Sequence, residues 1–438
     1  AVRGARAGPP RRSRPPVITA PRGHAAVFRR PAIPPGVATG APGRRVSFPA
    51  AAPQAVELSV VMPCLDEAAT LGRCIDRALA AFAECGVAGE VVVADNGSTD
   101  GSPAIAAARG ARVVAVAERG YGSALLGGIA AARGRYVLMG DADDSYDFGE
   151  LPRFLAELRA GCDLVQGCRL PRGGGRVLAG AMPVLHRWWG NPMFSWLART
   201  WFRAPIDDVH CGLRAFRREL VAELDLRCTG MEFASEMVIK AALARVRVGQ
   251  VPITLRPDGR GGRAPHLRTF RDGWRHLRFY LLYSPRWLFV VPGLVLALGG
   301  LLGFALALPG ARVGGVEFDV HTLLFAAVAV ICGAQAGLLG VHATAFAVGA
   351  GLLPADERVG RLLDGGRWER GLVAAAGLLL VGAVLLALVV ARWWGTGFGA
   401  MDYRAGLRLA IPGATSVVLG VQVGLSSFLL GLQALGRR

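Results

Sequence analysis

Asp141 and Asp143 stand two residues apart just past an apolar run, Tyr136–Met139, with Asp144 and Ser145 directly after them. Two carboxylates at that spacing, where a strand gives way to a loop, suit a divalent cation, whose hard charge prefers carboxylate oxygens. A cation held there would bridge a diphosphate, and neutralising a departing nucleoside diphosphate stabilises the charge that grows on the leaving group. Two further polar loops follow apolar runs upstream, Pro63-Cys64-Leu65-Asp66-Glu67 and Asp95-Asn96-Gly97-Ser98-Thr99-Asp100-Gly101. One acidic loop after a strand is an ordinary helix cap, whereas three that converge make a site. In this reading Asp95 and Glu67 supply acceptors for a ribose or a base edge.

The elements that would bring these loops together are visible in the texture of the chain. Short β-branched runs at residues 58–62, 91–94, 113–116, 136–139 and 163–165 read as strands. The alanine-rich stretches 68–83, 102–108, 122–132 and 150–159 between them read as helices. Strand, helix, strand at this spacing predicts a parallel, doubly wound sheet, which presents its ligand site at the carboxyl ends of the strands. A dinucleotide dehydrogenase would need a glycine fingerprint directly after the first strand. This chain has Pro63-Cys64-Leu65 there, and Gly120-Tyr121-Gly122 follows the third strand without the final glycine.

The 438 residues exceed what one such domain of about 200–250 residues occupies. Hydrophobic residues make up 53% and mean hydropathy is +0.39. The apolar excess lies in blocks, at 287–308, 322–353, 371–391 and 410–435. Each reaches the roughly 20 residues that a helix needs to cross a bilayer core of about 30 Å. Helices of a soluble core would be shorter and carry polar stripes. The blocks hold no Asp, Glu, Lys or Arg, which favours an anchor or lipid-holding role over a transport pathway.

Short cytoplasmic loops collect arginine and lysine. Arg263, Arg268, Arg271, Arg275, Arg278 and Arg286 precede the first block, and Arg358, Arg361, Arg367 and Arg370 lie between the second and third. The alternate loops carry Arg312, then Arg392, Arg404 and Arg408. The bias predicts a cytoplasmic N-terminal domain on an integral, multi-pass membrane protein. Of the net charge of +18, ten arginines fall in residues 1–55, which contain no acidic residue. That leader is rich in Pro, Ala, Gly and Arg and reads as disorder, with a polybasic contact to anionic lipid and an inert extension both open. It lacks the apolar core of a signal peptide. Nucleic-acid binding is not implied. The eight cysteines are scattered without a CxxC pair, which fits reduced thiols and neither a zinc site nor a disulfide framework.

Taken in order, Leu58-Ser59-Val60-Val61-Met62-Pro63 with Asp66-Glu67, then Val93-Ala94-Asp95-Asn96-Gly97-Ser98-Thr99-Asp100-Gly101-Ser102, Arg119-Gly120-Tyr121-Gly122 and Asp141-Ala142-Asp143 resemble the successive blocks of family 2 glycosyltransferases. The resemblance runs over about residues 57–260 and implies a GT-A fold, a Rossmann-like and mostly parallel α/β sheet. Gly167-Cys168-Arg169 and Asp208-Val209-His210-Cys211-Gly212-Leu213-Arg214-Ala215-Phe216-Arg217 resemble blocks of the dolichyl- and polyprenyl-phosphate glycosyltransferases, the dolichol-phosphate mannose synthase type. Four C-terminal spans also occur in part of that group.

The resemblance implies inverting transfer of a hexose from a nucleotide-diphosphate sugar, of the GDP-mannose or UDP-glucose type, to a polyprenyl or dolichyl phosphate at the cytoplasmic membrane face. It implies a divalent cation, Mg2+ or Mn2+, on Asp141 and Asp143, with Asp143 the direct ligand. Pro63, Asp66, Glu67, Asp95, Arg119, Asp141 and Ala142 would line the nucleotide-sugar site. Asp143 and Arg169 would be catalytic, and Arg169, Arg199 and Arg214 would meet the acceptor phosphate; an ordinary ion pair with Asp207 or Asp208 is the alternative for the last two. Relatives carry Asn where Asp66 stands, and Gly-x-Ser-Lys where this chain has Gly261-Gly262-Arg263-Ala264-Pro265-His266-Leu267-Arg268. Arg263, His266 and Arg268 would take over closure on the donor phosphates.

The expected organisation is a leader (1–55), a catalytic domain (56–262), a juxtamembrane amphipathic segment (263–286) and a four-helix transmembrane domain (287–438). Segment 184–202 mixes His186, Arg187 and Arg199 with Trp188, Trp189, Trp196 and Trp201, as interfacial helices do, although a core helix with an aromatic face has the same composition. Two other readings stand beside this one. A processive polysaccharide synthase would carry a Gln-x-x-Arg-Trp block, which is absent, and a non-catalytic scaffold or flippase partner would not need the intact Asp141 and Asp143.

Overall fold

The computed structural model describes residues 56–261, 269–354 and 365–435; the basic leader and the gating candidates Arg263, His266 and Arg268 lie outside them. Its sheet contains β1 (Leu58–Cys64), β2 (Gly89–Asp95), β3 (Arg112–Ala115), β4 (Tyr136–Met139), β5 (Leu164–Cys168), β7 (Arg214–Arg217) and β8 (Val248–Pro252), ordered 3-2-1-4-7-5-8. A short parallel pair, β6 (Arg176–Val177) with β9 (Thr254–Leu255), lies apart from it. The strands read as unbroken apolar runs because helices cover both faces. Val60 and Met62 face a core shared with Leu71 and Ile75 of α1 (Leu71–Cys85), Ala106 of α2 (Ser102–Ala108) and Phe154 of α4 (Leu151–Arg159). Val61, one residue over, faces Leu125 and Ile129 of α3 (Tyr121–Ala131) and Met237 of α7 (Phe233–Leu243). The alternation is the period-2 pattern of a strand buried on both sides.

One strand runs against the parallel order expected from the residues. β7 is antiparallel to both β4 and β5, pairing Met139 with Arg214 and Gln166 with Arg214. Its direction brings the loop that precedes it, residues 208–213, to the same sheet edge as the loops that follow the parallel strands. Four residues with arginine at both ends carry no strand signal, which is why texture alone does not announce it. After β7 the chain passes through the short α6 (Leu220–Glu223) into α7.

Two elements link this domain to the apolar helices. α5 (Asn191–Phe202) and α8 (Thr269–Leu282) pack on α7 through Phe194, Leu197, Ile239, Phe279 and Tyr280. The helices long and apolar enough to cross a membrane are Arg286–Ala307, Val320–Gly349, Glu369–Gly395 and Tyr403–Ala434, close to the four blocks read from sequence. Glycine permits close approach of the first two, since a Cβ on Gly293 would lie 2.8 Å from the Gly333 carbonyl. His342 of the second span meets Ser426 (2.7 Å) of the fourth. Beyond the membrane ends, Arg404 and Arg408 bond Asp319 (both 3.2 Å) and Arg312 bonds Glu317 (2.8 Å). Three of the four arginines that run against the charge bias are therefore held in ion pairs.

α3 crosses the sheet so near the segment before α7 that a Cβ on Gly122 would sit 2.1 Å from the Cys228 carbonyl. Gly122→Ala is expected to destabilise the catalytic domain by about 1–3 kcal/mol, as overpacking of a tight contact does. Chemical denaturation followed by tryptophan fluorescence would measure the loss.

Candidate active site

The loops after β1 and β2 are stitched into one surface. Asp66, in a left-handed conformation (φ 57°), accepts the Thr99 amide (2.7 Å) and gives its own amide to the Ser98 hydroxyl (2.9 Å). The Glu67 amide donates to the Ser102 hydroxyl (2.9 Å) and the Ala68 amide to Asp100 (2.9 Å). Asp95 accepts the amides of Gly97 (3.1 Å) and Ser98 (3.2 Å), an Asx turn that fixes the loop at the end of β2. Arg119 reaches back over this turn and donates to the Asn96 carbonyl (2.6 Å). Pro63 pairs with Ala94 across β1 and β2, so Pro63, Asp66, Glu67, Asp95 and Arg119 share one edge.

Three aspartates follow β4, and the fold gives them different surroundings. Asp144, at φ 64°, turns to α1 and pairs with Arg73 (3.0 Å) and Arg77 (2.5 Å). Asp141 points inward, where its carboxylate accepts the Tyr121 hydroxyl (2.9 Å). Burial first, and then the neighbouring Asp143, push its pKa up from 3.8 to about 6. Gly212 closes over it so tightly that a Cβ there would lie 2.7 Å from the carboxylate. Ala142 between them is buried. In Asp143, Oδ1 is occupied by the amide (3.0 Å) and hydroxyl (2.6 Å) of Ser145, and Oδ2 is left on the side of Glu67 and residue 260.

A cation not read from the sequence stands there. The Arg260 guanidinium donates from Nε to Glu67 (2.9 Å), engages the same carboxylate through Nη2, and lies 3.6 Å from Asp143 Oδ2. The only sequence signal was position, directly before the Gly261-Gly262-Arg263 stretch that departs from the family pattern. Among the described residues no group of three or more His, Cys, Asp or Glu is placed to hold a metal by itself. Asp141 and Asp143 are two hard ligands, and Mg2+ commonly takes one or two carboxylates and completes its shell with substrate phosphates and water. The donor set fits a cation that arrives with a diphosphate.

On the far side of β4 the arginines divide. Arg169 ends β5 with its guanidinium on Asp208 in a two-pronged pair (2.7 and 2.8 Å), and its amide bonds the same carboxylate (2.9 Å). Asp208 is fully buried and Arg169 is 7% exposed. Arg214 was expected to meet a phosphate, yet it is fully buried and donates to the carbonyls of Cys211 (3.1 Å), Ala234 (2.8 Å) and Val209 (3.2 Å). It satisfies two carbonyls of an irregular loop and ties that loop to the first turn of α7. Arg199 is half-buried beside Asp207 (3.3 Å) and, with Arg172, Arg187 and Trp188, lines a cavity of about 140 Å³. Its neighbours Trp188, Trp189 and Trp196 are 68%, 66% and 55% exposed, so segment 184–202 has both an exposed aromatic face and, through Phe194 and Leu197, a core face.

A buried polar chain also escaped sequence reading. His210, in the loop before β7, bonds Asn191 of α5 (3.1 Å) and Ser235 of α7 (3.3 Å), and Ser235 bonds His276 of α8 (2.8 Å). Burial lowers the pKa of both imidazoles, His276 to about 4, so the chain is neutral near pH 7. It connects the loop before β7 to α8, the helix that precedes the first span.

The profile described as Glycosyl transferase family 2 matches residues 59–225, and that described as Glycosyltransferase family 2 C-terminal transmembrane region matches residues 341–434. The low-salt glycan biosynthesis hexosyltransferase Agl6 of Haloferax volcanii is 38% identical over 382 residues, covering 85% of this chain and 88% of the relative. The dolichyl-phosphate hexose transferase of the same organism is 35% identical over 204 residues, 46% of this chain and 83% of that protein. A solved structure of glucosyl-3-phosphoglycerate synthase from Mycobacterium tuberculosis with Mn2+, UDP and glucosyl-3-phosphoglycerate aligns at 24% identity and a TM-score of 0.41, over 52% of this chain and 79% of that one.

Because the folded state raises the Asp141 pKa, ionising this carboxyl costs stability as pH climbs from its ordinary 3.8 to about 6, and the cost is constant above that. Asp141→Asn removes the charge and keeps the acceptor for Tyr121. In the presence of a chelator it is expected to stabilise the catalytic domain by on the order of 2 kcal/mol at pH 7.5 and hardly at all at pH 4. Thermal unfolding at the two pH values checks this.

Proposed function

The chain belongs to glycosyltransferase family 2, and from that premise we propose that it transfers a hexose from a nucleotide-diphosphate sugar to the phosphate of a polyprenyl or dolichyl lipid. The observation that carries the proposal is a juxtaposition. The Asp141–Asp143 loop and the Arg199 cavity flank Arg169 and Asp208 on one sheet edge, and exposed tryptophans lie on the segment that lines the cavity. Trp201 of α5 stacks on Trp287 (5.5 Å, 13°), the second residue of the first span. A water-soluble donor and a lipid acceptor would meet across that edge. The names of the two Haloferax relatives, a hexosyltransferase and a dolichyl-phosphate hexose transferase, support the same chemistry.

In this reading Asp66, Glu67, Asp95 and Arg119 hold the nucleoside, with Pro63 and Ala142 shaping the floor. A divalent cation on Asp141 and Asp143 would neutralise the diphosphate as it leaves. A phosphate monoester has a second pKa near 6, so the acceptor reaches the site as an anion and no side chain must remove a proton. The remaining requirement is position and charge compensation. Arg199, with Arg172 and Arg187, offers planar forks to the acceptor oxygens, as guanidinium groups do for phosphate. Arg169, locked on Asp208, contributes fixed positive charge behind them. Attack from the membrane side on a sugar held at the opposite loops gives inversion. The arginine-rich stretch before the first span and the loop between the second and third favour a cytoplasmic site.

Membranes containing the chain should convert labelled UDP-glucose or GDP-mannose, with Mg2+ or Mn2+ and polyprenyl phosphate, into a lipid-linked hexose. Asp143→Ala is expected to lower kcat by about 100-fold or more, the scale of losing one electrostatic stabiliser. Arg199→Ala should raise KM for the lipid about 10-fold with a smaller effect on kcat. An Asp143→Ala protein as active as wild type, or no lipid product from any donor, would refute the proposal.

A further inference from the structure

We propose that Arg260 is a tethered stand-in for the catalytic cation: it occupies the acidic cup between Glu67 and Asp143 and yields to a divalent ion only when a nucleoside diphosphate arrives to receive it. The inference rests on the reading of Asp141 and Asp143 as the cation site. Ser145 occupies Oδ1 of Asp143, so an incoming ion must take Oδ2, the oxygen that faces the Arg260 guanidinium at 3.6 Å. The two cations compete for one position.

The backbone keeps Arg260 at that place. The Arg256 amide bonds the Ser145 carbonyl (3.0 Å) and the Gly259 amide bonds the Asp143 carbonyl (2.8 Å), so residues 256–260 run along the loop that carries the carboxylates. Gly259 admits no side chain, since a Cβ there would lie 2.5 Å from Arg73 and 2.9 Å from Thr70. The backbone leading into Arg260 is thus held in place, and its side chain is the part that can move.

Charge then sets the order of events. Glu67 is 5% exposed and carries both prongs of the Arg260 interaction. An ion that arrives alone pushes away the guanidinium and weakens the compensation of a buried carboxylate, which is costly. A diphosphate arriving with the ion offers the guanidinium a new anionic partner in the geometry that it binds best. Cation and nucleotide therefore bind with positive coupling, and Arg260 carries part of it. Couplings of this kind commonly amount to about 5–150-fold. Without nucleotide, Arg260 also competes with stray divalent ions for Asp143.

The test is Mn2+ binding by the full chain in detergent, read from the electron paramagnetic resonance of free Mn2+, without nucleotide and with UDP or GDP. Wild type is expected to bind Mn2+ about 10-fold or more tightly with its nucleotide than without. R260Q should bind Mn2+ alone about 10-fold more tightly than wild type and lose most of that difference. R260M, which keeps length without charge or hydrogen bonding, should shift the same way and guards against a folding defect peculiar to one variant. Unchanged affinity for bare Mn2+ in both variants, with the nucleotide effect intact, overturns the inference while leaving the cation site standing. Failure of wild type and variants to bind Mn2+ with either nucleotide overturns the cation assignment and this inference together.

Discussion

The arrangement of the site depends on a buried ion pair. Asp208 has no exposed surface and holds both prongs and the amide of Arg169, so one carboxylate ties the end of β5 to the loop that enters β7. A charge in such a place is tolerated because its partner is rigid and every oxygen is used; loss of one partner of a buried pair costs on the order of 3–5 kcal/mol. The geometry that the pair enforces brings Gly212 against Asp141 and sets Arg199 beside Asp207. Without β7 the sheet would have a gap between β4 and β5, at the edge that carries the Asp141–Asp143 loop. An antiparallel strand closes it, because its incoming loop lands where its neighbours' outgoing loops are.

How much of this was legible in the sequence follows from what each residue packs against. β1, β2, β3 and β4 were read to within two residues, since strands covered on both faces are apolar without interruption. The four spans were legible for a similar reason, being apolar all round. Asp141, Asp143, Asp95 and Glu67 stood out because polar residues after strands share one edge. β7 was invisible, since Arg214 and Arg217 mask a strand of four residues. Arg214 looked like a phosphate ligand because arginine usually needs an anion, and here two carbonyls of an irregular loop and one of the first turn of α7 replace it. Arg260 has no local pattern at all, and its partner Glu67 lies 193 residues away. His210 and His276 likewise become partners only through the packing of α5, α7 and α8.

The same packing explains how a catalytic edge and a membrane anchor act as one body. Tyr280 of α8 is fully buried against Phe194 and Phe202 of α5, and its hydroxyl donates to the Phe194 carbonyl (3.2 Å). The neutral His210–Ser235–His276 chain adds directional bonds to an apolar contact. A hydrophobic interface alone tolerates sliding, whereas buried hydrogen bonds select one register.

In the reaction proposed above, the stack of Trp201 on Trp287 bears on how a lipid acceptor would be met. It ties α5, whose Arg199 lines the arginine cavity, to the start of the first span, so that encounter would be a search in two dimensions. The concentration that matters is the mole fraction of the lipid in the surface layer, and dilution of the surrounding solution leaves it untouched. The donor, by contrast, is sampled from bulk water. One enzyme thus reads two different concentration scales, and the aromatic contact sets the boundary between them.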